Sequence, residues 1–295
     1  MNYWDSYWKS KPASSCLEGL GAAPRLEECW RESAKIVTKE GNGQTSPKRF
    51  LDVACGSGAA STKISKECES VKIKFTGIDR ANVDFSLENP IHSVSFYNGE
   101  NFNAFFKRSE SFDAIISNFG IEYLELEEIR TILETKTRPG SLFIANCHDH
   151  NSLVSFTSKE EIKALDSFLN DRLLKKLEVA LSQGFSVSLA KDYLLRLKQL
   201  NDQSEGRLAG AGVTEWVIQQ LSKSQQRGEK TCELDMVHSV FEDYKSRLYS
   251  QINASLKTPK ILNLLQGVSE ECLKEELVRD SQNKIVSKFF IFRML

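Results

Sequence analysis

The stretch FLDVACGSGAAS, Phe50 to Ser61, sets Asp52 at the end of an apolar run and follows it with Gly56 and Gly58. Glycines without side chains let main-chain amides approach a ligand closely, and a strand that leads through such a loop into a helix makes a crevice for one. Ser61 stands where the third glycine of a dinucleotide fingerprint would fall. Asp52 disfavours a pyrophosphate beside the loop and suits a ligand carrying an ammonium group. Asp79, in FTGID, lies 21 residues beyond Gly58, and a carboxylate there can accept both hydroxyls of a ribose. A nicotinamide dinucleotide would use that carboxylate too, so these residues leave the nucleotide open.

A second constellation is CHDHNS, Cys147 to Ser152, which holds two of the chain's four histidines. His148 is the first choice as a general base, since an imidazole titrates near neutrality. A metal site needs a third protein ligand that the sequence does not nominate, and neighbours on an extended segment point to opposite sides. The plainer reading is a loop in which His148 or Asp149 caps the following helix.

These residues need elements to position them. Phe50 to Ala54, Ile73 to Ile78, Val94 to Tyr97, Ala114 to Ser117 and Leu142 to Ala145 each read as a buried strand. Helical spacing between them predicts a parallel sheet with helices on both faces. Beyond Gly140 no proline occurs until Pro259. That interval repeats apolar residues at helical steps, Ile162, Leu165, Leu169, Leu173, Leu177 and Leu181, then Val237, Phe241, Tyr244, Leu248 and Ile252. Thr214 is expected to cap a helix between them. Thr258-Pro259 is expected to open a short helix, followed by strands over Leu273 to Val278 and Ile285 to Phe292 that pair as an antiparallel hairpin. The chain therefore divides into residues 1–150, a helical insertion over 151–258, and 259–295.

The 295 residues carry 39 basic and 40 acidic side chains, a balance that steers the protein to neither nucleic acid nor an anionic membrane. Seven cysteines, none in a C-x-x-C pair, argue against a disulfide framework and a zinc site. The opening MNYWDSYWKS lacks a secretory pattern and no apolar run reaches spanning length. The expectation is a cytoplasmic protein whose partner is a small-molecule acceptor. Tyr3, Trp4, Tyr7 and Trp8 form i, i+4 aromatic pairs that either cover the site or pack a short helix.

With these residues in view, LDVACGSGAAS resembles motif I of the class I, Rossmann-like S-adenosylmethionine-dependent methyltransferases, of the type 11/25-like kind. The likeness continues in order through FTGID, VSFYNGEN, SFDAIISNFGIEYL and TRPGSLFIANCH, and SKFFIFRML resembles the antiparallel seventh strand. It implies an α/β fold with a seven-stranded sheet, mostly parallel with the last strand antiparallel, and a helical insertion between strand 5 and the final hairpin. It also implies S-adenosyl-L-methionine as cofactor and assigns roles by position. Asp52, Ala54, Gly56 and Gly58 would line the methionine end; Asp79 would hold the ribose; Arg80 and Ala81 would flank the adenine. Glu100 and Asn101 would face the adenine amine, and Asn118 and Phe119 would run beneath the sulfonium toward the acceptor.

SNFG after the fourth strand lacks the [DNS]-P-P-[YFW] pattern of enzymes that methylate adenine, cytosine or glutamine nitrogens, and no acid cluster resembles a magnesium site. The expected reaction is methyl transfer to an oxygen, nitrogen or sulfur of a small metabolite, with His148 and Asn118 as catalytic candidates and no metal. Two alternatives stand beside it: an NAD(P)-dependent oxidoreductase, which would require the last strands to continue in parallel, and a non-catalytic module that binds S-adenosylmethionine.

Overall fold

A computed structural model describes residues 23–41, 46–68, 70–83, 92–99, 105–227 and 234–295. Tyr3, Trp4, Tyr7, Trp8, Glu100 and Asn101 lie outside the described residues. The chain divides into two compact units, Met1–Ser155 with Asn253–Leu295, and Phe156–Ile252.

The first unit is built on one seven-stranded sheet. Its strands are β1 (Lys48–Val53), β2 (Ile73–Asp79), β3 (Ser93–Asn98), β4 (Ala114–Asn118), β5 (Leu142–Cys147), β6 (Ser269–Arg279) and β7 (Ile285–Met294), in the order β3-β2-β1-β4-β5-β7-β6. β1 to β5 pair in parallel, while β7 runs antiparallel to both β5 and β6. The final hairpin and the antiparallel strand are therefore as the sequence predicts. Each predicted strand falls within its observed span except at Ala54, which lies beyond β1 with φ +50°.

Alternation on the strands feeds two apolar layers. Phe50, Phe75, Ile116, Ile144, Phe289 and Ile291 face α1 (Ala23–Gly41) and α2 (Ala59–Glu67), whose Trp30, Ala34 and Ile64 close that layer. Leu51, Val53, Ile115, Phe143 and Phe290 face the other way, against Ile129, Ile132 and Leu133 of α3 (Leu126–Lys136). Burial on both faces explains why these strands read as unbroken apolar runs.

The second unit is helical and has its own core. α4 (Leu153–Leu169), α5 (Arg172–Gln183), α6 (Val187–Gln203), α7 (Arg207–Gly210), α8 (Val213–Arg227) and α9 (Asp235–Val268) supply Leu165, Tyr193, Leu197, Val217 and Phe241 to it. The stripe from Ile162 to Leu181 is not one helix. Asp171 accepts the amides of Leu173 and Leu174 and starts α5 afresh, a capping geometry that shifts the helical phase. Leu174 is buried as a result, and Leu173 is half exposed. Thr214 caps nothing: α8 begins one residue earlier, after Gly212 in the left-handed region.

Pro259 does not open a helix either. α9 runs through it without a break, although proline removes one main-chain hydrogen bond and crowds the carbonyl four residues back. Contacts on both sides offset that cost. Ile261, Leu262 and Leu265 are buried in the second sheet layer, Lys257 donates to the Leu124 carbonyl (3.1 Å) and to Glu125 (3.0 Å), and Thr258 donates to the His148 carbonyl (2.7 Å).

Neighbouring β1 and β4 end side by side, and their exits are joined tightly. The Ser117 hydroxyl donates to the Val53 carbonyl and accepts the Ile121 amide, each at 2.8 Å. A Cβ at Gly120 would fall 2.7 Å from both Cβ and O of Ala54 and 3.0 Å from Ser117 Oγ. Gly120→Ala is therefore expected to cost about 1–3 kcal/mol by overpacking, measured by urea unfolding. Gly184→Ala, where an added Cβ meets nothing within 4 Å, is the control and should shift stability by less than about 1 kcal/mol.

Candidate functional site

The loop after β1 takes its shape from three left-handed residues. Ala54 (φ +50°), Gly56 (φ +50°) and Gly58 (φ +87°) turn the chain, and Gly58 caps α2. The Cys55 amide pairs with the Ile78 carbonyl at 3.1 Å, and the Gly58 amide closes on the Cys55 carbonyl at 2.8 Å. Asp79, at the end of β2, accepts the Gly56 amide on Oδ2 (2.8 Å) and the Ala81 amide on Oδ1 (2.7 Å). It caps no helix. Two main-chain donors fix the orientation of the carboxylate.

Asp52 lies beneath this loop with no exposed surface. Its Oδ2 accepts the Ser61 amide (3.2 Å) and hydroxyl (2.6 Å), while Oδ1 is enclosed without a partner. Ser61, in place of a glycine, therefore ties β1 to the first turn of α2. Burial pushes the Asp52 carboxyl up to about 7; the two Ser61 bonds pull it down, and the charge of Asp79 pushes it up. Asp52 therefore offers no open carboxylate to a ligand above the loop. Arg80 forms an ion pair with Glu128 near the start of α3.

β4 and β5 deliver the other wall. The Asn146 side chain donates to Asn118 Oδ1 at 3.0 Å, and the Phe119 amide donates to the Asn146 carbonyl at 2.7 Å. Phe119, at φ +54°, turns its ring over the His148 imidazole, with centroids 4.6 Å apart. Tyr123 meets the same imidazole edge-on at 6.0 Å. Asn118, Phe119 and His148 are thus brought together, whereas His150 is exposed. The two histidines diverge as alternation requires, and no cluster of three metal-binding side chains occurs among the described residues. Of the two capping candidates it is Asp149 that serves, accepting the Asn151 amide, and Ser152 accepts the Ser155 amide at the start of α4.

Glu122 is the site residue that sequence reasoning missed. It sits in the 3-10 turn Ile121–Tyr123 with no exposed surface, and Oε1 accepts the His148 amide at 2.8 Å. Burial pushes its carboxyl up to about 7, against the opposing pull of that amide and of the Cys147 thiol. The one signal was a glutamate inside the apolar run GIEYL, which periodicity assigns to no role.

Asp52 and Glu122 make stability depend on pH. Both carboxyls are raised above their unfolded values near 4, so between about pH 4 and 7 the native state holds protons that the unfolded chain has released. Their contribution is complete below pH 4 and is lost as pH rises through 7, on the order of 3 kcal/mol each at full extent. Asp52→Asn and Glu122→Gln cannot lose that contribution. Their urea midpoints should gain on the wild type as pH rises from about 5 to 8, with no further gain above pH 8.

No helix among the described residues is long and apolar enough to cross a membrane. No family model matches the chain, and no curated protein matches it. Solved structures similar to it include TehB from Haemophilus influenzae, 18% identical over 50% of this chain and 46% of that one, TM-score 0.28. A second is the N-methyltransferase NodS from Bradyrhizobium japonicum, 10% identical over 90% of this chain and 97% of that one, TM-score 0.35. A third is a SAM dependent methyltransferase from Archaeoglobus fulgidus, 16% identical over 52% and 62%, TM-score 0.29. The chain spans about half the length of TehB. Likenesses at these scores carry no argument, and the fold assignment rests on the observed strand order and on the reversed direction of β7.

Proposed function

We propose that this chain is an S-adenosylmethionine-dependent methyltransferase whose acceptor is a small molecule. One observation carries the reading: Asp79 is locked by two loop amides at the crevice where the sheet order reverses. In the order 3-2-1-4-5 the chain leaves β1 and β4 toward opposite sides, and that switch point is where open α/β sheets bind ligands. The glycine loop after β1 and the Asn118–Gly120 segment after β4 face that crevice.

The donor set fits an adenosyl group joined to methionine better than a dinucleotide. Asp79 places a carboxylate, the group that suits a ribose diol, beside the loop, and Gly56 and Gly58 turn that loop in the left-handed region with no side chain of their own. Two buried carboxyls, Asp52 and Asp79, close enough to influence each other, oppose a pyrophosphate and favour a ligand of positive charge. β7 runs antiparallel to β5, which counts against the nicotinamide alternative.

When bound, the cofactor would supply a methyl group on an already good leaving group. The protein's task is then alignment and, where the acceptor carries a proton, its removal. Asn118 and Phe119 stand at the carboxyl end of β4, beside the residues assigned to the cofactor. The Asn118–Asn146 amide pair offers hydrogen-bonding groups at the ends of adjacent strands, which can orient a polar acceptor. The His148 imidazole is fully buried against Phe119 and Tyr123, an arrangement that supports a place behind the acceptor wall more than an open general base. The balanced surface charge supports a small metabolite over a nucleic acid.

Both S-adenosylmethionine and S-adenosylhomocysteine should raise the melting temperature, and Asp79→Ala should weaken each by about tenfold or more through the lost charge-assisted bonds. Calorimetric titration of wild type and variant provides the check. Absence of binding at millimolar ligand, or binding of NADH instead, would contradict the proposal.

A further inference from the structure

His148 is held in an unusual way for a turn residue. Its amide donates to Glu122, 26 residues earlier, and its carbonyl accepts from Thr258, 110 residues later. Both partner side chains are buried, as is His148 itself. Lys257, next to Thr258, donates to the Leu124 carbonyl and to Glu125, so consecutive residues of α9 tie down the segment after β4 and the turn after β5. The same segment after β4 carries Phe119 and Tyr123, whose rings flank the imidazole.

A turn of five residues, His148 to Ser152, does not need this hardware to close. Asp149 and Ser152 already cap it locally, and enclosing a carboxyl such as Glu122 works against folding unless its bonds compensate. The two long-range bonds add one thing the local caps cannot supply: they fix where His148 stands relative to the ends of β4 and β5. Preorganised placement of this kind is what an alignment-driven transfer requires, since small displacements of the reacting groups are costly in rate.

We infer that Glu122 and Thr258 are positioning residues of the acceptor site, gripping the His148 main chain from both sides so that the buried His148 ring backs the Phe119 ring and fixes the wall that Phe119 presents to the acceptor. The inference rests on the methyltransferase reading for its consequence in catalysis, but the grip itself is a property of this chain alone. The bonds of both side chains go to the turn after β5 rather than to the glycine loop, so cofactor affinity is the parameter they should leave alone.

The experiment compares Thr258→Val and Glu122→Leu, which remove the bonds, with Thr258→Ser and Glu122→Gln, which retain a hydroxyl and an acceptor. Protein labelled with carbon-13 at the histidine rings gives few signals, since the chain has four histidines, and His148→Gln assigns the one of interest. Thr258→Val and Glu122→Leu should shift or broaden the His148 signal while His92 and His238 stay in place. They should also slow transfer of labelled methyl from S-adenosylmethionine to the small molecules of a cell extract by about tenfold or more. Their affinity for S-adenosylmethionine should stay within about twofold of wild type, and the Ser and Gln variants should restore both readouts. If Glu122→Leu does not fold, Thr258→Val decides alone.

The inference is overturned if folded Thr258→Val or Glu122→Leu keeps both the His148 signal and the transfer rate, or if the conservative variants fail to rescue. If wild type itself neither binds S-adenosylmethionine nor transfers methyl, the functional reading fails instead. The histidine spectra then still report whether the two side chains hold the turn.

Discussion

The contact between Gly120 and Ala54 is the constraint on which the rest of the site depends. Two adjacent parallel strands, β1 and β4, must send their chains to opposite sides of the sheet at the same level, and only a hydrogen atom fits where they part. Ser117 bridges the two exits by donating to one and accepting from the other. Ala54 pays for the approach with a left-handed φ that side chains disfavour, as does Phe119 one residue before Gly120. Strain of that kind persists only where surrounding bonds over-determine the backbone. Here those bonds are the Cys55 amide to Ile78 and the Phe119 amide to Asn146.

Around that parting the protein places carboxyls with distinct duties. Asp79 is fixed by two amides at the lip of the crevice; Asp52 is sealed under the loop and welded to α2 through Ser61; Glu122 holds the turn after β5. Burial raises Asp52 and Glu122 toward neutrality. The two therefore disfavour anionic ligands less at low pH than at high pH, whereas a cationic ligand gains as they ionise. The arrangement suits a positively charged cofactor at physiological pH without any basic residue in the loop, and none is present between Leu51 and Ser61.

The sheet was legible because its chemistry is local. Runs such as Leu142 to Ala145 are buried on both faces and announce a central parallel strand, and Asp280 to Asn283 announces the turn of a hairpin. Helix phase was less legible. The apolar stripe continues past Leu169, but the Asp171 cap outweighs it and rotates the next helix so that Leu174 rather than Leu173 is buried. Pro259 reads as a helix start in isolation, and only the tertiary anchors at Lys257, Thr258 and Ile261 make a continuous helix affordable. Within the site, Asp79 and the glycines follow from a motif. Gly120, Glu122 and Thr258 do not, because their roles consist of contacts with residues far along the chain.

A crystal structure with S-adenosylhomocysteine tests the central claim most directly. The account predicts both ribose hydroxyls within hydrogen-bonding distance of the Asp79 carboxylate, the amino-acid end over Gly56 and Gly58, and the sulfur directed toward Asn118 and Phe119. A ligand bound elsewhere, or one whose ribose hydroxyls do not reach the Asp79 carboxylate, would contradict it.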